Sequence, residues 1–94
     1  PKFPAFTRDI AVVCDEAVTV GALETAIRKG ARGLLKEVSL FDIYRGKGID
    51  EGKKSVAFNL ILRADDRSLT AEEADADVKA ILEVLEQDCG AVLR

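Results

Sequence analysis

Histidine, tryptophan and methionine are missing from this 94-residue chain, and cysteine occurs only twice. Without histidine there is no side chain whose ordinary pKa suits it to general-base work near neutral pH, and a zinc site would have to be built from carboxylates. Cys14 and Cys89 are too few for a disulfide framework and form no CxxC pair, which removes metal-chaperone chemistry; reduced, buried thiols of a cytosolic protein are expected instead. Aromatics are scarce too. Four Phe and one Tyr cannot tile the multi-base stacking surface of a general single-stranded RNA binder. No apolar run is long enough for a transmembrane helix, so no membrane partner is expected. The start Pro1-Lys2-Phe3-Pro4 lacks the charged and apolar stretches of a secretory signal. The absence of Met, even at position 1, suggests a C-terminal piece of a longer polypeptide, although removal of an initiator Met would leave a similar start.

What is present suits one small domain over residues 1–94: 48% of the residues are apolar, enough for a modest core. The net charge of −3 argues against a simple electrostatic nucleic-acid clamp, but the distribution is uneven. Nine acids lie between Asp65 and Asp88 against Arg67 and Lys79. The rest of the chain is therefore net positive, and a helix there would give the domain an acidic back and a more basic sheet and loop side.

Hydrophobic periodicity gives the element order. Residues 8–14 alternate Ile10, Val12 and Cys14 against Asp9, Ala11 and Val13, as a strand with one well-buried face does, and Asp15 and Glu16 end it. The preceding Phe3-Pro4-Ala5-Phe6 reads as an extended lead-in whose rings cover a core edge. Thr19 is an N-cap for a helix over 20–31, with Val20, Leu23, Ile27, Ala31 and Leu34 at helical spacing; Gly30 and Gly33 stop it, and Leu34 and Leu35 plug the corner. Residues 37–45 and 55–63 form a hairpin. Val56, Phe58, Leu60 and Leu62 share the core parity of its second strand, while Ser55, Ala57, Asn59 and Arg63 take the other, and a glycine-rich charged loop links the two strands. Thr70-Ala71-Glu72-Glu73 is a capping box opening a second helix with Ala74, Val78, Ile81, Leu82 and Leu85 inward. Gly90 precedes a short last strand over 91–94. The order βαββαβ predicts an α+β fold, a ferredoxin-like split βαβ sandwich: a four-stranded antiparallel sheet, order 4-1-3-2, with two helices on one face and the other face open. In that order the end of the first strand adjoins the start of the fourth, so Cys14 and Cys89 should be near neighbours.

This architecture hosts many functions, so the residues must choose. A phosphatase on this fold would want an anion cradle after the first strand, where this chain has Asp15-Glu16, and no Ser or Cys has a base or an electropositive setting beside it.

Leu40-Phe41-Asp42-Ile43-Tyr44-Arg45-Gly46 and Glu51-Gly52-Lys53-Lys54-Ser55-Val56-Ala57-Phe58, with Arg8-Asp9-Ile10-Ala11-Val12-Val13 before them and Arg67-Ser68-Leu69-Thr70-Ala71-Glu72-Glu73 after, resemble the ferredoxin-fold anticodon-binding domain found at the C-terminus of the bacterial phenylalanyl-tRNA synthetase beta subunit. The four motifs occur in the family's order and span nearly the whole chain. The resemblance implies a non-catalytic domain of a cytoplasmic aminoacyl-tRNA synthetase with two alpha and two beta subunits. The alpha subunit would hold the active site with ATP and magnesium, and this domain, with no cofactor of its own, would contact the anticodon of the phenylalanine tRNA.

By position, the family's base-contacting residues fall on Asp42, Tyr44 and Ser55. Tyr44 is the one ring available to stack a base, Asp42 can accept from a donor edge, and Ser55 can bond without filling the space a base needs. Ala57 lies on the same face. Arg45, Lys47, Lys53 and Lys54 make the hairpin loop a phosphate-attracting neighbour, set against Asp50 and Glu51. Asp42 and Tyr44 share sequence parity with apolar Val38 and Leu40, so a bulge near Leu40, or a partly covered face, is needed to put them in the open. The competing expectation is a non-RNA interaction or regulatory module that uses the open sheet for a protein or small ligand.

Overall fold

The computed structural model describes residues 3–94. Six elements follow in the expected order: β1 (Phe6–Asp15), α1 (Val20–Gly30), β2 (Leu35–Tyr44), β3 (Lys53–Leu62), α2 (Ala71–Cys89) and β4 (Val92–Leu93). All three strand pairings are antiparallel, and the sheet runs β2-β3-β1-β4, the predicted order read from the other edge.

Ile10, Val12 and Cys14 of β1 and Val56, Phe58 and Leu60 of β3 meet Leu23 and Ile27 of α1 and Ile81 and Leu85 of α2 in one buried cluster. Because the strand members all have one parity, both helices lie on the same sheet face. A second cluster of Leu62, Ala64, Leu69 and Ala74 closes one end, with Phe6, Leu34 and Leu35 packed against it. Of the lead-in, Phe6 therefore covers the core as expected, whereas Phe3 stays exposed. Cys14 belongs to the main cluster and half-buried Cys89 packs against it, both as free thiols. Burial pushes both thiols above their ordinary range, Lys54 pulling Cys14 back in part, so neither is poised as a thiolate nucleophile.

The helix ends follow local chemistry. Thr19 Oγ1 accepts from the Ala22 amide at 3.0 Å. At α2 the Glu73 amide donates to Thr70 Oγ1 at 3.1 Å and the Thr70 amide donates to Glu73 Oε1 at 3.2 Å, the reciprocal capping box. The Thr70 amide holds the Glu73 carboxyl below its ordinary pKa, helped by Arg67. Thr70→Ala is expected to cost about 1 kcal/mol, seen as a fall of about 4–8 °C in the midpoint of thermal unfolding. Gly90 closes α2 in the left-handed region at φ +63°, turning the chain back so that β4 can lie beside β1.

Glu72, Asp75, Glu83, Glu86 and Asp88 are exposed on α2, so the acidic charge does lie on the helix layer. Asp77 departs from the pattern: it is only 2% exposed. Its Oδ1 accepts from the Arg32 amide at 3.0 Å, which ties the end of α1 to α2.

The pairing of β2 with β3 is irregular at two places, between Leu35 and Glu37 and between Leu40 and Asp42. The second decides which side chains reach the open face. Val38 and Leu40 stand opposite Leu60 and Phe58 of the core parity; one residue later in register, Asp42 stands opposite Ala57, Ile43 opposite Val56 and Tyr44 opposite Ser55. One extra residue, Phe41, has inverted the alternation, so Ile43 packs against the core while Asp42 and Tyr44 pass to the other side.

Candidate functional site

The uncovered sheet face has β3 at its centre, with Ser55 and Ala57 as its floor. On one side they are opposed by Tyr44 and Asp42 of β2 and on the other by Val13 and Ala11 of β1. The two alanines keep the floor low. Asp42 is exposed and has no hydrogen-bond partner among the described residues. Tyr44 is half-buried, and its hydroxyl donates to the Lys47 carbonyl at 2.9 Å, which fixes the ring against the start of the hairpin loop.

A fourth residue completes the constellation. Arg94 continues the β4 pairing through its amide, which donates to the Ala11 carbonyl at 2.9 Å. Its side chain reaches across β1: Nη1 donates to Ser55 Oγ at 3.4 Å, and the guanidinium lies 5.0 Å from the centroid of the Tyr44 ring. That separation is within cation–π range. Ser55 is consequently only 2% exposed, so the residue that alternation places in the open is roofed in the free protein. Nothing in the local pattern marks Arg94. Its position depends on where α2 ends and how β4 registers on β1, both of which are tertiary facts.

The hairpin loop carries less free positive charge than its sequence suggests. Its four cations make it basic in sequence, but β1 pairs with β3 as far as Asp15 opposite Lys53, which brings the carboxylates of the β1 end beside the loop. Lys53 Nζ lies 2.8 Å from Asp15 Oδ1, and Arg45 grips Glu16 with two donors, Nε to Oε2 at 2.7 Å and Nη2 to Oε1. The Arg45 hydrogen bond holds the Glu16 carboxyl below its ordinary pKa, and the same bond raises that of Arg45; Lys53 is raised by Asp15. Lys54 stands opposite Cys14 on the core side of β3 and is only 6% exposed. Lys47 alone of the four is exposed without an ion pair among the described residues. Since Asp50 and Glu51 flank the same loop, its field is close to neutral rather than positive.

A ring backed by a guanidinium, a free carboxylate beside it and a hydroxyl on the floor suit a planar heterocycle with hydrogen-bond donors on one edge. They do not supply a nucleophile with a base. No group of three or more His, Cys, Asp or Glu among the described residues could hold a metal. A surface cavity of about 280 Å³ lies elsewhere, lined by Arg32, Leu34, Arg67, Glu73, Ala76 and Asp77.

A family model described as the ferredoxin-fold anticodon binding domain matches residues 1–94. Over 94 residues the chain is 48% identical to the phenylalanine-tRNA ligase beta subunit of Geobacillus kaustophilus, 48% to that of Bacillus subtilis and 49% to that of Symbiobacterium thermophilum. All of this chain is covered in each case, but only 12%, 12% and 10% of those relatives, so the chain spans about a tenth of their length.

Proposed function

Because the chain belongs to the ferredoxin-fold anticodon binding domain family, we propose that its open sheet face reads the anticodon of the phenylalanine tRNA for a phenylalanine-tRNA ligase beta subunit. The parent would charge that tRNA with the use of ATP and magnesium, in a heterotetramer whose alpha subunit carries the chemistry. This domain would position the tRNA and take no part in the reaction. The observation that carries the reading is the bulge at Phe41, which delivers Asp42 and Tyr44 to the same face as Ser55 and Arg94.

Each residue then has a role fixed by its chemistry. Tyr44 replaces the stacking that an anticodon base loses when it leaves its neighbours. Asp42 accepts from the donor edge of a guanine, whose N1 and N2 groups both donate. Arg94 shifts from its contact with the bare ring to lie over or beside the base, and in doing so releases Ser55 Oγ for a bond to base or ribose. Ala57 supports the role by being small.

Because Arg45 and Lys53 are already paired and Lys54 is buried, few counterions are released on binding, and the domain alone should bind RNA weakly with a shallow salt dependence. Titrating the labelled domain with the anticodon stem-loop is expected to move the amide signals of Asp42, Tyr44, Ser55 and Arg94. The affinity should change by less than tenfold between about 50 and 200 mM salt, the range over which a protein making many phosphate contacts loses about a thousandfold or more. Tight binding of unrelated RNA with a steep salt slope would point to a general RNA binder. An unmoved open face would leave it as a protein-docking surface.

A further inference from the structure

The bulge that turns Asp42 and Tyr44 to the open face also sets Phe41 outside the sheet's alternation. Phe41 is 69% exposed, more than any other large apolar side chain among the described residues; its neighbour Leu40 is 45% exposed. A single exposed aliphatic residue needs no explanation. An exposed ring that is the extra residue of a bulge, one position from the free carboxylate of the candidate site, is different, because bulges beside functional sites re-aim side chains.

Three kinds of partner could use it. An added strand is disfavoured, since β2 is the outer strand of the sheet and its pairing register is irregular near both Lys36 and Phe41, leaving no long regular edge for a partner strand. A protein surface would need a broader apolar patch than Leu40 and Phe41, which are bordered by Ser39 and Asp42. A nucleobase needs only one ring. Phe41 precedes Tyr44 by three residues, so their backbones are at most about 10 Å apart at roughly 3.3 Å per residue, and the bulge between them shortens that; neighbouring nucleotides of a single strand are within reach of both positions.

We propose that Phe41 is a second stacking platform, holding a nucleotide of the anticodon loop next to the one read at Tyr44. The inference rests on the reading that the Tyr44 face holds an anticodon base. The domain would then present two rings on one strand, where the sequence pattern offers Tyr44 alone.

The test uses the full-length parent enzyme and tRNA carrying 2-aminopurine at single anticodon-loop positions, with Tyr44→Ala, Phe41→Ala, Phe41→Leu and Phe41→Trp compared with wild type. One position should be quenched through Tyr44. An adjacent position should lose its quenching in Phe41→Ala and Phe41→Leu and keep it in Phe41→Trp, with KM for tRNA rising about 5- to 150-fold in the first two. Because Phe41 is exposed, all three variants should keep the wild-type melting temperature. If Tyr44→Ala abolishes a quench while every Phe41 variant leaves fluorescence and KM unchanged, the second platform is refuted and the anticodon reading stands. If no position responds to either ring, both fall. Loss of subunit assembly in Phe41→Ala, restored by Phe41→Leu without any change in fluorescence, would assign the ring to a protein contact and overturn the proposal.

Discussion

Tyr44→Ala in the parent enzyme is expected to raise KM for tRNA about 5- to 150-fold, the equivalent of one lost base stack, with amino-acid activation unchanged. The split between the two half-reactions matters because Tyr44 is assigned to tRNA binding alone: an effect on activation would mean damage to the enzyme rather than loss of a contact. Tyr44→Phe should be mild, since the ring stacks while the hydroxyl is engaged with the Lys47 carbonyl at 2.9 Å. Its loss would loosen the loop without removing the platform. Asp42→Ala should also raise KM. Asp42→Asn separates roles further, because an amide keeps only one acceptor and adds donors. It should weaken charging of a tRNA with guanine in its anticodon more than one with inosine, which has no 2-amino donor to lose. Wild-type charging kinetics in both alanine variants, with melting temperatures intact, would refute the assignment.

Gly30→Ala is expected to destabilise the domain strongly for the addition of one methyl group. Gly30 ends α1 where that helix crosses α2, and a Cβ built there would lie 2.7 Å from Ile81 Cα, 3.1 Å from the Ala80 carbonyl oxygen and 3.2 Å from the Ile81 amide nitrogen. All three are backbone atoms of a neighbouring helix, so no side chain can swing aside. The helices must part, opening a core that holds Leu23, Ile27, Ile81 and Leu85. Overpacking of this kind costs about 1–3 kcal/mol and occasionally more, or a fall of roughly 5–20 °C in the melting temperature of a domain this size. Gly33 provides the control. It has a left-handed φ of +86°, and a Cβ added to it would meet nothing within 4 Å, so Gly33→Ala should cost only the backbone strain, about 1 kcal/mol. Equal stability losses at the two positions would show that the helix crossing is not the tight point.

Local signals mark the helix starts well, because capping is decided within four residues. Thr19 and Thr70 accept from the amides that their positions imply. The central strands are as legible, since β1 and β3 each bury one face and their alternation is nearly pure. Asp77 is less legible: on an acidic helix its spacing looks like one more surface carboxylate, and only the approach of Arg32 at the end of α1 makes it a buried tie. Gly30 reads as a helix stop from sequence alone; its closeness to Ile81 belongs to the packing of two helices 51 positions apart.

Periodicity and capping act over a few residues, and they suffice for the βαββαβ order, the core parity of β1 and β3, and the acid on the outer face of α2. Asp42, Tyr44 and Ser55, which the family resemblance matches to base contacts, are likewise plain in the chain. Three features of the site depend instead on how distant segments meet. The bulge at Phe41 chose which parity of β2 faces out, since it is defined by pairing with β3 and not by β2 itself. The β1–β3 register brought Asp15 and Glu16 against the hairpin cations and neutralised a loop that looks basic. The turn at Gly90 and the β4 register carried Arg94 across the sheet to Ser55 and Tyr44. Charge and pairing between such separated residues are set only when the chain has closed, because no single stretch contains both partners.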